Sequence, residues 1–268
     1  MEKVLYVSDL DGTLLRSDET LSSYTCKVIN QFTENGGLFS YATARSYITA
    51  RKVTKGLEAK IPVIVYNGTF VIDNQTGKIL ISNYFKENIK KVFEDLFSSD
   101  IFPIVYSFID NKEYFSFIPE KCTKGMTAFL NSRKGDIRWR EAKDVEQLIQ
   151  GNSFYITCID SKEKLEPLYE KYKSQFHVVF SEDIYTKEQW LEIMPLEASK
   201  SKAIIQLKKL LGCKQVISFG DAKNDIDMFQ ISDASYAVAN ACEELKKIAD
   251  GIIESNNDEG VAKWLDSH

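Results

Sequence analysis

Short apolar runs alternate with helical patterns at both ends of this 268-residue chain, and no other feature restricts the fold as strongly. In the N-terminal part, predicted strands and helices follow one another at 3–8, 20–35, 38–43, 46–57 and 61–68. After residue 195 the alternation resumes with a helix from Ser199 to Leu211, in which Ser199 is a suitable N-cap and Gly212 ends the helix. This alternation favours a parallel sheet with helices on both faces, so we predict an α/β, Rossmann-like core.

The middle of the chain has a different pattern. Alternating apolar and polar residues on both sides of 110–112 predict an antiparallel hairpin over 103–118. Further helices and strands are predicted at 86–97, 153–159, 161–175, 177–181 and 190–195. We therefore predict an α+β cap domain with an antiparallel sheet, inserted into the α/β core. The core is expected at 1–83 and 188–268, and the cap at 84–187.

Composition argues against several functional classes. The formal net charge of -5 provides no basic surface for a nucleic acid. No segment approaches the ~20 apolar residues that cross a bilayer, and Asp9 interrupts the first apolar run, so we expect neither a membrane span nor a signal peptide. Five cysteines without a CxxC spacing indicate reduced thiols and a cytoplasmic protein. With only His177 and His268 present, catalysis or metal binding based on histidine is not expected.

Polar residues follow several predicted strands, at the end where an open parallel sheet binds its ligands. The residues that follow these strands, or begin the helix after the cap, are Asp9, Asp11, Thr43, Arg45, Lys200, Asp221, Asn224 and Asp225. The turn Asn67–Gly68 follows the third predicted strand. Because the carboxyl ends of parallel strands lie at one edge of the sheet, we expect these residues to form one site.

Each of these signals has a simpler explanation when it is taken alone. The sequence DLDGT suits an ordinary turn, because Asp and Gly both favour turn geometry. Thr43 could cap the next helix, and Lys200 could be a surface lysine at a helix start. Arg45 could bind phosphate or pair with an acid at the edge of the site, and Lys202 is an alternative to Lys200. All the signals in this order, at these strand ends, favour a functional site.

With these motifs, the whole chain resembles the haloacid dehalogenase superfamily, in particular the Cof-type phosphatases with a large C2-type cap inserted after the third core strand. The motifs that carry the resemblance are DLDGT at 9–13, the TxR pattern at 43–45, NG at 67–68, SKSKA at 199–203 and GDAKND at 220–225. The spacing to Ala203 favours Lys200 as the lysine of the third motif. Ala44 and Ser201 stand where these enzymes usually have glycine.

The resemblance implies a role for each site residue. Asp9 attacks phosphorus and becomes an aspartyl phosphate, while Asp11 protonates the departing alcohol and then activates water. The phosphate group is bound by Thr43, Arg45, Lys200 and Asn224. All-oxygen ligands suit Mg²⁺. The residues implied for the metal site are Asp9, Asp11 through its backbone carbonyl, Asp221 and, as an acid that orients water or Lys200, Asp225.

The function implied by the resemblance is Mg²⁺-dependent hydrolysis of small phosphomonoesters through an aspartyl phosphate. Sugar phosphates are the first expectation, followed by flavin mononucleotide and pyridoxal phosphate. The alternatives are a phosphomutase of the same superfamily and a non-catalytic protein that binds phosphorylated metabolites. A response-regulator receiver also takes phosphate onto an aspartate. However, a receiver is far shorter than this chain and would not need a domain inserted between its strands. The expected partner is a small phosphorylated metabolite, not a nucleic acid or a membrane, and the expected assembly is a monomer or weak homodimer.

Overall fold

The computed structural model describes residues 2–58, 60–182 and 188–268. These residues form two compact units. The first, here named the core unit, consists of residues up to 82 and from 198 onward, and the second, the cap unit, consists of residues 83–197.

The elements follow one another along the chain in three segments. The core unit begins with β1 (Val4–Ser8), α1 (Ser23–Glu34), β2 (Leu38–Tyr41), α2 (Tyr47–Val53), β3 (Val63–Val65), β4 (Phe70–Ile72) and β5 (Ile79–Ser82). The cap unit contains α3 (Ile89–Ser98), β6 (Ile104–Ile109), β7 (Lys112–Phe117), α4 (Lys124–Asn131), β8 (Trp139–Glu141), α5 (Val145–Leu148), β9 (Asn152–Asp160), α6 (Lys162–Tyr172), β10 (His177–Glu182) and β11 (Gln189–Met194). The core unit continues with α7 (Lys200–Leu211), β12 (Gln215–Gly220), α8 (Ile226–Gln230), β13 (Ala234–Val238), α9 (Glu243–Lys246), β14 (Gly251–Ile253) and α10 (Gly260–Ser267).

The core unit is built on a five-stranded sheet in the order β14-β13-β12-β1-β2, and all its strand pairs are parallel. The side chains of Leu5 and Val7 lie on one face of β1 and are fully buried. On the opposite face Tyr6 packs against Phe32 of α1 and Trp264 of α10, as expected for a parallel sheet covered on both sides. The third strand predicted for the parallel sheet, β3, is parallel to one neighbour and antiparallel to the other. It meets β2 through one parallel bridge, Ala42 to Ile64, and otherwise pairs antiparallel with β4.

Helix α7 begins and ends where the sequence predicts. The side chain of Ser199 accepts a hydrogen bond from the backbone N–H of Lys202, which satisfies one of the free amides of the first turn. Gly212 has a φ of 67° and ends the helix in the left-handed conformation that glycine adopts without steric penalty. The position of Lys200 at the start of this helix is thus determined by local sequence.

The cap unit contains a six-stranded sheet in the order β10-β11-β9-β6-β7-β8. The predicted hairpin over 103–118 is confirmed, since β6 and β7 pair antiparallel with Ile109 opposite Lys112. Helices α3 and α6 pack on this sheet and form a separate hydrophobic core that includes Leu96, Ile156 and Leu165. The short elements α4, β8 and α5 were not predicted, and β8 pairs parallel with β7, so the sheet is not entirely antiparallel.

The second predicted boundary between core and cap needs a correction. Residue 187 itself lies outside the described residues, but the strand that follows it, β11, pairs antiparallel with β9, with Leu191 opposite Cys158. The cap unit therefore extends to Glu197, ten residues beyond the predicted end. A local pattern identifies β11 as a strand, but only its hydrogen-bonded partner shows to which sheet it belongs. The first boundary lies after Ser82, one residue from the prediction.

The sequence led to predictions about the cysteines and about membrane-spanning segments. All five cysteines carry free thiols, and Cys158 is fully buried in the cap unit. Burial raises the pKa of the Cys158 thiol far above its ordinary value, so this thiol stays protonated and unreactive. Within the ranges given above, no helix combines the length and the apolar character needed to cross a bilayer.

Candidate active site

Strand β1 places Asp9 at the carboxyl edge of the core sheet, and the chain then turns sharply within Leu10–Leu14. Gly12 makes this turn with a φ of 80°, a conformation unfavourable for residues with a Cβ. A Cβ at this position would also lie 2.4 Å from Oδ2 of Asp221. Glycine is therefore required at position 12 for both conformation and space, and the tight turn brings the segment after Asp9 against Asp221.

Lys200 links two buried carboxylates in the core unit. Its Nζ donates to Oδ1 of Asp9 at 2.5 Å and to Oδ1 of Asp225 at 2.7 Å. All three side chains are at least nine-tenths buried. The structure thus brings together three of the predicted site residues, and it favours Lys200 as the lysine of the third motif.

The charges of this cluster do not balance. Burial raises the pKa of Asp9 well above its usual range, and the charges of Asp225 and Asp221 add to this effect, although Lys200 opposes it. Burial lowers the pKa of Lys200, but Asp225 and Asp9 outweigh burial and raise it overall, so the ammonium stays charged. One ammonium among three carboxylates leaves a negative charge that favours a further cation.

Asp225 holds the turn that follows β12. Its Oδ2 accepts hydrogen bonds from the backbone N–H groups of Asp221 at 3.0 Å and Ala222 at 3.1 Å, while Oδ1 accepts from Lys200. A Cβ on Gly220 would lie 2.8 Å from the Cβ of Asp225, so a small residue is needed before this turn. Both oxygens of Asp225 are engaged, and this carboxylate orients Lys200 and the turn.

Asp221 completes a group of carboxylates that fits a hard cation. Single oxygens of Asp9, Asp221 and Asp225 lie within 4.8 Å of one another. Burial and the charge of Asp225 raise the pKa of Asp221 to about 6, although the Thr13 hydroxyl donates to its Oδ1 at 2.9 Å. The donors are all oxygen atoms and a cation would relieve their mutual repulsion, so the residues present fit Mg²⁺.

Arg45 pairs with an acid in this structure. Its Nε donates to Oδ2 of Asp11 at 2.8 Å, and its Nη2 donates to Oδ1 at 2.5 Å. The same Nη2 lies 3.0 Å from a carboxylate oxygen of Glu19. Hydrogen bonding to Asp11 raises the pKa of Arg45 further above its usual range. Of the two alternatives from sequence, the structure shows the ion pair, in which the Asp11 side chain is half-exposed.

The other predicted phosphate-binding residues lie at two strand ends. Thr43 follows β2 and is fully buried, and its Oγ1 accepts a hydrogen bond from the backbone N–H of Arg45 at 3.1 Å. Because the hydroxyl oxygen of Thr43 accepts in this bond, its proton can be donated to another group. Asn224 lies in the turn after β12 with an exposed side chain, so it is not part of the buried cluster.

Some site residues were missed from sequence. Asn240 follows β13, and its Nδ2 donates to the backbone oxygen of Gly12 at 2.8 Å. Its Oδ1 in turn accepts from the backbone N–H of the buried Asn256 at 3.0 Å. These asparagines support the turn after Asp9. Asn240 could have been identified because it follows a predicted strand of the parallel sheet, whereas the contacts of Thr13 and Glu19 had no comparable signal.

Residues 6–265, nearly the whole chain, match the haloacid dehalogenase-like hydrolases, and the chain belongs to this family. Two relatives from Bacillus subtilis are both named 5-amino-6-(5-phospho-D-ribitylamino)uracil phosphatase. The first is 25% identical over 97% of this chain and 96% of its own length. The second is 26% identical over 96% of this chain and 95% of its own length.

The fold is also similar to that of solved structures. The crystal structure of TM0651 from Thermotoga maritima is 25% identical and covers 100% of this chain and 98% of its own, with a TM-score of 0.80. The resemblance to the superfamily and the predicted α/β core with an inserted α+β cap are therefore confirmed. The chain is a phosphatase of this family, an enzyme of the phosphoric monoester hydrolase class.

Proposed function

We propose that this phosphatase hydrolyses small phosphomonoesters with Asp9 as its nucleophile and Mg²⁺ as its cofactor. The observation that carries the proposal is the hydrogen bonding of the buried Asp9 carboxylate. Lys200 binds one of its oxygens, and among the described residues none donates a hydrogen bond to the other. A carboxylate held in one orientation with one oxygen available is suited to attack on phosphorus, with the alcohol as leaving group and an aspartyl phosphate as intermediate.

Asp11 is the proposed acid and base. It follows Asp9 by two residues in the same turn, so both carboxylates belong to one loop. In the first step its carboxyl proton passes to the oxygen of the departing alcohol. In the second step the Asp11 carboxylate takes a proton from the water that attacks the aspartyl phosphate, and inorganic phosphate leaves. Arg45, which now binds Asp11, would transfer hydrogen bonds to an arriving phosphate and so release Asp11.

The second requirement of the reaction is stabilisation of the negative charge on the phosphoryl oxygens. Lys200, Thr43, Arg45 and Asn224 are the proposed donors to its oxygens. Lys200 is already charged and oriented by Asp225, so it needs little rearrangement when negative charge develops. The exposed Asn224 lacks such a restraint, and we expect it to contribute least.

Mg²⁺ would be held by the carboxylates of Asp9 and Asp221 and by the backbone carbonyl of Asp11. Asp225, whose two oxygens already accept hydrogen bonds, is proposed to orient Lys200 and not to bind the cation directly. When bound, the cation neutralises charge on the carboxylates and on the phosphate oxygens.

The proposed substrates are phosphorylated sugars and polyols. The named substrate of the two Bacillus subtilis relatives carries a phosphorylated ribityl chain. Flavin mononucleotide has the same phosphorylated chain, whereas pyridoxal phosphate has no polyol. This chemistry supports sugar phosphates and ribityl phosphates over pyridoxal phosphate. A cytoplasmic location and a monomer or weak homodimer stay predictions.

A panel of phosphomonoesters tests the proposal. Release of inorganic phosphate is measured with Mg²⁺ and with a chelator, for the unsubstituted protein, for Asp9→Asn and for the control Asp266→Asn, which removes an exposed carboxylate of α10. We expect release that requires both Mg²⁺ and Asp9, with Asp266→Asn unchanged. Phosphate that moves to another position of the sugar without release would favour a phosphomutase. Binding without either reaction would favour a non-catalytic protein.

A further inference from the structure

Ser201, a residue that departs from the usual glycine of this motif, joins two helices of the core unit. Its Oγ donates to Oδ2 of Asp227 at 2.7 Å, which connects the first turn of α7 to the first turn of α8. Its Oγ also lies 2.9 Å from Oγ of Ser199, the N-cap of α7. Ser199 and Ser201 are both buried and Asp227 is partly buried, so water competes little with these hydrogen bonds.

The donor in each hydrogen bond between Ser199, Ser201 and Asp227 can be assigned from the chemistry of the groups. A carboxylate only accepts, so the single hydroxyl proton of Ser201 goes to Asp227. In the pair of hydroxyls the donor is therefore Ser199, which itself accepts from the backbone N–H of Lys202. The hydrogen bonds run in one direction, from the amide of Lys202 through two hydroxyls to a charged acceptor. Such charge-assisted chains are stronger than neutral ones.

This series of hydrogen bonds connects the same two segments as the ion pair between Lys200 and Asp225. Ser201 is adjacent to Lys200, and Asp227 is two residues after Asp225, to which Lys200 donates at 2.7 Å. When Lys200 shifts a hydrogen bond toward a phosphoryl oxygen, its pair with Asp225 weakens. The bond from Ser201 to Asp227 does not involve the ammonium and is unaffected by this shift.

We propose that Ser201 and Asp227 are positioning residues, which keep Lys200 at a fixed place relative to Asp9 during phosphoryl transfer. The inference rests on the proposed role of Lys200 in binding the phosphoryl group. Because the two residues act through Lys200, their loss should affect the transition state more than the binding of substrate. A role limited to the packing of α7 against α8 would lower stability without this kinetic effect.

The test compares Ser201→Ala, Asp227→Ala, the double variant and Asp227→Asn, which retains an acceptor oxygen. The control is Ser232→Ala, which removes a part-buried hydroxyl of the same unit that donates to the backbone oxygen of Met228 and lies 2.9 Å from Oγ of Ser218. For each protein, kcat and KM for a phosphomonoester are measured with Mg²⁺, together with the urea midpoint of unfolding. We expect a loss of about tenfold in kcat for both alanine variants, with KM changed less than about twofold.

The remaining variants decide between positioning and packing. The double variant should be no slower than either single variant, because both remove the same bond. Asp227→Asn should recover most of kcat, and Ser232→Ala should keep full kcat despite a similar loss of stability. Equal kcat for Ser201→Ala and Ser232→Ala, or independent effects in the double variant, would overturn the inference alone. No phosphate release by the unsubstituted protein would overturn the proposed function and this inference with it.

Discussion

Single residues decide how closely the two acidic turns of the site approach. Gly12 combines a positive φ with contact to the Asp221 carboxylate, and Gly220 packs against Asp225. In each case the missing Cβ makes room for a carboxylate of the cluster. Burial raises the pKa values of Asp9 and Asp221, and the nearby carboxylates add to this effect. The two glycines allow these carboxylates to lie close together.

Replacing Gly12 with alanine should damage the site more than the fold. Gly36 provides a matched control, since it has a φ of 91° but nothing within 4 Å of an added Cβ. Gly36→Ala should lose about 1 kcal/mol from backbone strain and keep its activity. Gly12→Ala should lose more stability and at least about tenfold in kcat, because Asp221 must move. Urea unfolding and phosphate release measure both effects, and equal kcat values for the two variants would contradict the prediction.

Replacing Asp11 with asparagine should slow substrates with poor leaving groups most. Asparagine cannot donate a proton to an alkoxide, so kcat for alkyl phosphates should fall by about 10²–10⁴-fold. The loss should be smaller for p-nitrophenyl phosphate, whose leaving group needs no proton. Glu19→Gln, which alters only the second acidic neighbour of Arg45, should change kcat by less than about twofold. An equal loss for both classes of substrate would argue against proton transfer by Asp11.

At the scale of elements, an acid on one helix fixes the two main helices of the cap unit. Asp95 on α3 accepts hydrogen bonds from Lys171 and from the hydroxyl of Tyr172, both on α6. Below these contacts, Leu96 and Leu165 belong to the shared hydrophobic core. The polar contacts therefore set the position of two helices whose apolar faces provide most of the stabilisation.

The contribution of Asp95 should depend on pH. Hydrogen bonds from Lys171 and Tyr172 lower the pKa of Asp95 from 3.8 to about 2. Because the folded pKa is the lower one, the stabilisation is complete above about pH 5 and is lost as the pH falls toward 2. Asp95→Asn should thus lower the free energy of unfolding by about 1 kcal/mol at pH 7 and by less at pH 3. Urea unfolding at both pH values measures this.

The control for this prediction is a neighbouring exposed acid. Glu94 lies 3.4 Å from Lys91 on the same helix, and among the described residues it makes no cross-helix contact of the kind that Asp95 makes. Glu94→Gln should change stability by less than about 0.5 kcal/mol at either pH. A loss for Asp95→Asn that is equal at pH 7 and pH 3 would mean that packing, and not ionisation, is the source of the effect.

In the whole molecule, the core unit is assembled from two distant parts of the chain, and the cap unit is continuous. The core sheet places β1 between β2 and β12, so the N-terminal strand pairs with a strand from beyond the cap. Each unit has its own buried apolar residues. The core sheet, and the cluster around Lys200 with it, can form only after residues on both sides of the cap have been joined.

Mg²⁺ should stabilise the core unit and leave the cap unit unchanged. At about 100 times its dissociation constant, the cation should add about 2.7 kcal/mol to the unfolding free energy of the core unit. Trp264 reports on the core unit, and Trp139 and Trp190 report on the cap unit, so tryptophan-to-phenylalanine variants separate the two signals. Asp221→Asn should remove the gain. An equal shift of both signals would instead indicate one cooperative unfolding transition.

Local sequence determined the class of fold and identified Asp9, Lys200 and Asp225 as members of the candidate site. The apolar runs, the N-cap Ser199 and the terminator Gly212 act through residues a few positions away, so these signals can be read directly along the chain. The same holds for the order of the motifs, which predicted the family. Residues at the ends of parallel strands meet by necessity, and this predicted that Asp9, Lys200 and Asp225 would lie together.

Tertiary structure alone decided the contacts between distant parts of the chain. Asp9 and Lys200 are 191 positions apart, and the geometry of their contact depends on how the sheet closes. The pairing of Arg45 with Asp11, the bond from Ser201 to Asp227 and the membership of β11 in the cap sheet are of the same kind. Each is one of several partners that the residue could accept. The energy of the complete fold, and not the local pattern, selects among them.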